Sequence, residues 1–94
     1  MVEQLLLTDE RVASVLRARV LGELAAWDPG GALQATLRLW VDTGSVPECA
    51  RRLVVHPNTV GYRLGRVREI TGLDPRVPAA AAVLVLALTA GGAT

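Results

Sequence analysis

SVPECARRLVVHPNTVGYRLGRVREITGLD, residues Ser45 to Asp74, carries two helix starts with a tight break between them. Ser45-Val46-Pro47-Glu48 has the form of a capping box, in which the Ser45 hydroxyl accepts from the Glu48 amide and Glu48 reaches back to the Ser45 amide. Pro47 fits because first-turn amides have no intrahelical acceptor. The helix so begun is short, running through Cys49, Ala50 and Leu53 before Val54-Val55-His56 interrupts it. Pro57 then stands at a first helical position, and Val60, Leu64 and Val67 form one apolar stripe in a segment reaching Ile70. Thr71-Gly72 ends that helix with a C-terminal glycine. A short capped helix, a three-residue turn and a longer arginine-bearing helix outline a helix-turn-helix.

With Val60, Leu64 and Val67 turned inward, a helical wheel points Asn58, Tyr62, Gly65 and Glu69 outward. Gly61 and Arg66 lie on the shoulders, and Arg63 lies near the buried edge. An outward Asn close to a helix N-terminus can read adenine bidentately, and Arg serves guanine or phosphate. Ser, Thr, Tyr and main-chain amides at the helix start suit phosphate. Gly61 and Gly65 leave bare backbone on this side, which either permits close approach to DNA or means that the helix reads few bases.

Upstream, Thr8 is a good N-cap with Asp9 and Glu10 in the first turn, where the helix dipole favours negative charge. Val12, Val15, Leu16, Val20 and Leu24 recur at helical spacing, predicting a helix over 9–26. Asp28-Pro29-Gly30-Gly31 ends it. Leu33, Leu37, Trp40 and Val41 predict a second helix over 32–43, stopped at Gly44. Trp27 and Trp40 are expected as core anchors. Downstream, Pro78 starts and Gly91-Gly92 ends a helix with no polar face, which must be covered on every side. The expected architecture is one all-α domain of about five helices. It divides into an N-terminal helix and linker (1–31), the helix-turn-helix core (32–74) and the apolar C-terminal helix (75–94).

The 94 residues hold one small core, and a 51% hydrophobic content excludes a disordered segment. One Cys and one His exclude an internal disulfide and the usual zinc sites, and Cys49 reads as a small buried hydrophobe. No nucleophile–base pair or phosphate loop is apparent, so neither enzyme activity nor a cofactor is expected. The apolar segment Ala79 to Ala90 is shorter than the roughly 18–20 residues a membrane span needs. The chain is expected in the cytoplasm, away from the membrane.

Net charge is +1 overall, but residues 45–69 carry five arginines against two glutamates. That clustering is what a nucleic-acid footprint looks like, and equally what an ordinary solvated helix face looks like.

The same stretch strongly resembles the C-terminal helix-turn-helix domain of PucR/CdaR-type bacterial transcriptional regulators. The likeness rests on H-x-N-T-V-x-Y-R-L-x-R-V-x-E-I-T-G from His56 to Gly72. It extends more weakly through ALQATLRLWVDTG (Ala32 to Gly44) and VLGELAAWDP (Val20 to Pro29), and covers the apolar last helix. The resemblance implies that His56, Asn58, Thr59, Tyr62, Arg63 and Arg66 lie at or near DNA, and Arg52 joins them as a candidate contact. It also implies a longer parent protein with a sensor region upstream, of which this chain would be a C-terminal fragment or a separated domain. The chain departs from the family at Gly61 and Gly65, where Arg is frequent, and at Pro57, where a basic residue is common.

Other roles stay open for single residues. His56 either caps the second helix or meets phosphate, and Arg63 either contacts DNA or pairs within the domain, for example with Glu48. Asn58 and Thr59 either face DNA or satisfy first-turn amides. The expected partner is double-stranded DNA, with a homodimer formed through the last helix and residues 9–26; the competing reading seats that helix in a groove of its own chain, its small alanines facing solvent. The alternative is a helical protein-interaction or dimerisation module without useful DNA affinity.

Overall fold

Helix starts and stops along the chain are set by a few capping side chains and glycines. The computed structural model describes residues 10–28 and 30–92, without the side chains of 10, 12, 13, 16 and 89–92. The Thr8 cap, the Asp9 charge and the Val12 and Leu16 side chains fall outside the described residues. Five helices follow in order: α1 Glu10–Trp27, α2 Ala32–Thr43, α3 Val46–Leu53, α4 Pro57–Thr71 and α5 Pro78–Gly92. Among the described residues there is no strand.

Ser45 caps α3, its Oγ accepting from the Glu48 amide at 3.2 Å. The capping box is only half formed, however. The Ser45 amide donates to Thr43 Oγ1 at 3.3 Å, while the Glu48 carboxylate turns to Arg51 and Arg52. Charge-assisted bonds to two guanidiniums outcompete one neutral amide that already has an acceptor. Gly44 and Gly72 end α2 and α4 in the left-handed conformation, φ 62° and 77°, where glycine has no Cβ penalty. α2 has a cap that its sequence concealed. The Asp28 carboxylate accepts from the amides of Leu33 and Gln34, both at 3.0 Å, from five and six residues upstream.

The core divides into two clusters joined by α4. The larger gathers Val20 and Leu24 of α1, Leu33 and Leu37 of α2, Val67 of α4, and Leu84, Ala87 and Leu88 of α5. The smaller gathers Cys49 and Ala50 of α3 with Val60 and Leu64 of α4. Val60, Leu64 and Val67 are fully buried, as the wheel requires. The inner face of α4 is thus fastened along its length: the first half to α3, the second to the rest of the domain.

Two expectations need correction. Trp27 is 66% exposed at the end of α1, because the chain turns away at Asp28 and leaves the indole outside the packed layer. Trp40 is half-buried against the smaller cluster, its Nε1 donating to the Pro75 carbonyl at 2.9 Å. The last helix does not need a second chain to cover its leucines. Leu84 and Leu88, four residues apart on one face, sink with Ala87 into the core of their own chain beside α1 residues. The faces expected to form a dimer interface therefore pack on each other within one chain. Elsewhere among the described side chains of α5, Ala79 is exposed, Ala80, Ala81 and Ala82 are half-buried, and Val85 is 40% exposed.

Candidate nucleic-acid interface

The turn between α3 and α4 is three residues long and opens on a non-glycine residue in the left-handed region, Val54 at φ 57° and ψ 49°. This geometry lets the Val55 amide donate back to Ala50 at 3.0 Å and reverses the chain. His56 is extended, φ −68° and ψ 145°, and its Nδ1 accepts from the Asn58 amide at 2.9 Å. His56 therefore caps α4, one of the two roles open to it, and Pro57 follows at N1.

From that cap the first half of α4 presents a connected surface. His56, Pro57 and Asn58 are exposed, Thr59 is half-buried and Tyr62 is 67% exposed. Cβ atoms built at Gly61 and Gly65 would meet nothing within 4 Å, so the two glycines widen the free space beside Tyr62. The structure thus brings His56, Asn58, Thr59 and Tyr62 to one end of one helix.

The arginines are placed less uniformly. Arg63 is half-buried and its Nη1 donates to Thr36 Oγ1 on α2 at 3.3 Å. It does not pair with Glu48, whose carboxylate is taken by Arg51 and by Arg52, the latter at 2.7 Å. Arg63 has no carboxylate partner among the described residues. Arg66 lies in the second half of α4, 3.5 Å from Glu69. With Trp27, Glu69 and Ile70 it lines a shallow cleft of about 250 Å³. That is below the usual size of a small-molecule pocket. Among the described residues no group of His, Cys, Asp and Glu could hold a metal, and no helix is long and apolar enough to cross a membrane.

Hydrogen bonds from Arg51 and then Arg52 pull the Glu48 carboxyl down to about 2. The Arg51 guanidinium is correspondingly raised by Glu48. Asp74 is also lowered, mainly by the Arg76 amide, which donates to it at 3.0 Å. Arg51 and Thr36 were not singled out from sequence. The three-residue spacing from Glu48 was a legible signal for Arg51. For Thr36, one hydroxyl among the leucines of α2, no local pattern pointed to Arg63.

Residues 33–90 match the PucR C-terminal helix-turn-helix domain, which covers the whole of α3, the turn and α4. This chain belongs to that family. The PucR-type domain is 44% identical over 90 residues to an uncharacterized protein of Mycobacterium tuberculosis, covering 95% of this chain and 21% of the relative. It is 41% identical over 58 residues to the carbohydrate diacid regulator of Escherichia coli, covering 61% of this chain and 15% of that one. The transcriptional activator PmfR of Paenarthrobacter nicotinovorans is 38% identical over 78 residues, 74% of this chain and 15% of the relative. The chain thus spans about a fifth or less of these relatives. A crystal structure of a regulator of polyketide synthase expression from Bifidobacterium adolescentis superposes with a TM-score of 0.82 at 37% identity. That match covers 94% of this chain and 37% of the other. The PucR-type domain is the helix-turn-helix output unit of transcriptional regulators.

Proposed function

We propose that the domain binds double-stranded DNA by placing the first half of α4 in the major groove. Asn58 reads a base edge there, while Tyr62, His56 and Thr59 meet the groove and its flanking phosphates. Arg63 supplies the principal phosphate charge of α4, Arg66 a weaker one, and Arg52 a contact from α3. The observation that carries the reading is the exposure of His56, Pro57, Asn58 and Tyr62 at the capped start of a helix whose opposite face is fully buried. A surface so rigidly backed and so open has the properties a reading helix requires.

The wider setting belongs to the same proposal. The domain acts in the cytoplasm as the output end of a longer regulator whose preceding region senses a signal, without catalysing a reaction itself. Two copies bind as a homodimer to a two-fold site, because symmetric half-sites suit paired helix-turn-helix units. Leu84, Ala87 and Leu88 take no part in that contact, since they are buried within one chain.

Fluorescence anisotropy with mixed-sequence duplex DNA across a salt series tests the reading. Contacts to several phosphates give a linear fall of log affinity with log salt, about −0.9 per phosphate neutralised. Absence of any salt-dependent binding would favour a protein-interaction module instead. Sedimentation equilibrium with and without duplex tests the homodimer.

A further inference from the structure

On the outward side of α3, Glu48 accepts hydrogen bonds from Arg51 Nη2 and Arg52 Nε. The carboxylate is the least exposed of the three side chains, 26% against 74% for Arg51 and 50% for Arg52. It therefore sits beneath two guanidiniums that face solvent. In helix-turn-helix docking the first helix crosses the DNA backbone, which turns this face of α3 toward phosphates. A carboxylate in that position occupies donors that phosphate oxygens would take, and it repels the phosphates themselves. Exposed ion pairs of this kind add little to folding stability, so the arginines can change partner readily.

We propose that Glu48 is an affinity-setting residue of the DNA interface, an internal counter-charge that holds Arg51 and Arg52 until phosphate displaces it. The inference rests on the duplex-binding reading above and adds Arg51 to the contacts. Binding at this edge is then an exchange of anions. Each exchanged arginine starts partly neutralised, so it releases less counterion than a free arginine would. The domain binds more weakly, and with a shallower salt dependence, than its arginines alone would give.

The test is E48Q in the full chain. Glutamine keeps the length of the side chain and suits the third position of a capped helix. Affinity for mixed-sequence duplex at low salt should rise about threefold, the effect of removing one charge from roughly 7 Å in water. The salt slope should steepen with it. D42N makes the same change in net charge on the exposed side of α2 and should leave both quantities near the parent values. Adding E48Q to an R51Q/R52Q background should give a smaller gain than adding it to the parent, because only the direct repulsion between carboxylate and phosphate then remains. The proposal is overturned if E48Q binds no better than the parent or than D42N, or if its gain is undiminished in the background that lacks both arginines. A parent chain without duplex affinity would be a different failure, that of the DNA reading itself.

Discussion

Arg63 Nη1 donates to Thr36 Oγ1 at 3.3 Å, tying the reading helix to α2 across 27 residues of sequence. Thr36 is fully buried, and its own hydroxyl hydrogen goes to the Ala32 carbonyl at 2.8 Å. The guanidinium is consequently held by a neutral acceptor, half out of water, with no carboxylate beside it among the described residues. A partly desolvated cation in this state gains most from an incoming anion.

Arg63→Gln is therefore expected to weaken duplex binding by a similar factor on every sequence and to reduce the salt slope by about 0.9. Arg66→Gln should do less, because Glu69 already competes for that charge. Circular dichroism establishes that both variants fold. Equal and negligible effects of the two substitutions on anisotropy titrations would remove α4 from the phosphate contacts.

Asn58→Ala should leave binding to random duplex nearly unchanged while relaxing preference at one base pair, a loss of about 1–3 kcal/mol of discrimination. Its side chain is exposed, and the amide that the His56 cap uses is the backbone N–H, which alanine retains. Selection of bound sequences from a randomised pool provides the measurement. An unaltered preferred site in the variant would mean that Asn58 reads nothing.

Much of this arrangement was legible because it is local. The caps at Ser45 and Gly72, the break after Leu53 and the Val60–Leu64–Val67 stripe are short-range features, and each stands where its residues indicate. Trp27 was misread because composition ranks an indole as core material, whereas its burial depends on where the chain goes after Asp28. The last helix left two coverings open for a related reason, and the one inside its own chain is the one found. Its sequence has no polar side, so nothing local reveals that Leu84 and Leu88 meet Val20 and Leu24 of the same chain. The partner of Arg63 was likewise hidden, since a guanidinium has several acceptors in reach and tertiary packing chooses among them. The Glu48 pairs with Arg51 and Arg52, by contrast, lie three and four residues on along one helix and were legible.

Gly61→Ala and Gly65→Ala should each stabilise the domain by up to about 1 kcal/mol, the helix-propensity difference between the residues. Neither glycine has a left-handed backbone, and a methyl at either place meets open space. Thermal unfolding followed at 222 nm checks the gain. Gly61→Arg adds charge on the same shoulder and should elute later from heparin. A Gly61→Ala variant that melts below the parent would show that the helix is constrained there by something other than propensity.

Glu48 gives the acid response a sign. Arg51 and Arg52 lower its carboxyl from 4.5 to about 2, so the folded state holds its proton less tightly than the unfolded chain does. The contribution of this ion-paired group to stability is fully present above about pH 4.5 and is lost as the pH falls toward 2. A carboxyl carbon titration by NMR should place the Glu48 midpoint well below that of an ordinary glutamate. In E48Q the fall in melting temperature between pH 4.5 and 2 should be shallower than in the parent. A Glu48 midpoint at the ordinary value would mean that the two guanidiniums do not hold it in solution.

Val54 combines a β-branched side chain, a φ of 57° and 89% exposure at the turn that leads into the reading helix. The left-handed region brings Cβ against the following carbonyl, at a cost of about 1–2 kcal/mol for an L-residue. Almost none of that is returned by packing, since the side chain is nearly all in water. Glycine at this position relieves the clash but enlarges the entropy of the unfolded chain, which offsets about 0.5–1 kcal/mol of the relief. Val54→Gly should therefore stabilise the domain by about 0.5–1 kcal/mol, a rise of a few degrees in melting temperature for a chain of this length. Val54→Asn, which tolerates the same backbone without glycine's freedom, should raise it as well. The turn hydrogen bonds from Val54 and Val55 to Arg51 and Ala50 are main-chain bonds and survive either change. Duplex affinity should stay at the parent value in both variants, because the aim of α4 is set by its buried face. A lower melting temperature in both would mean that the valine side chain makes a contact in solution that outweighs its strain.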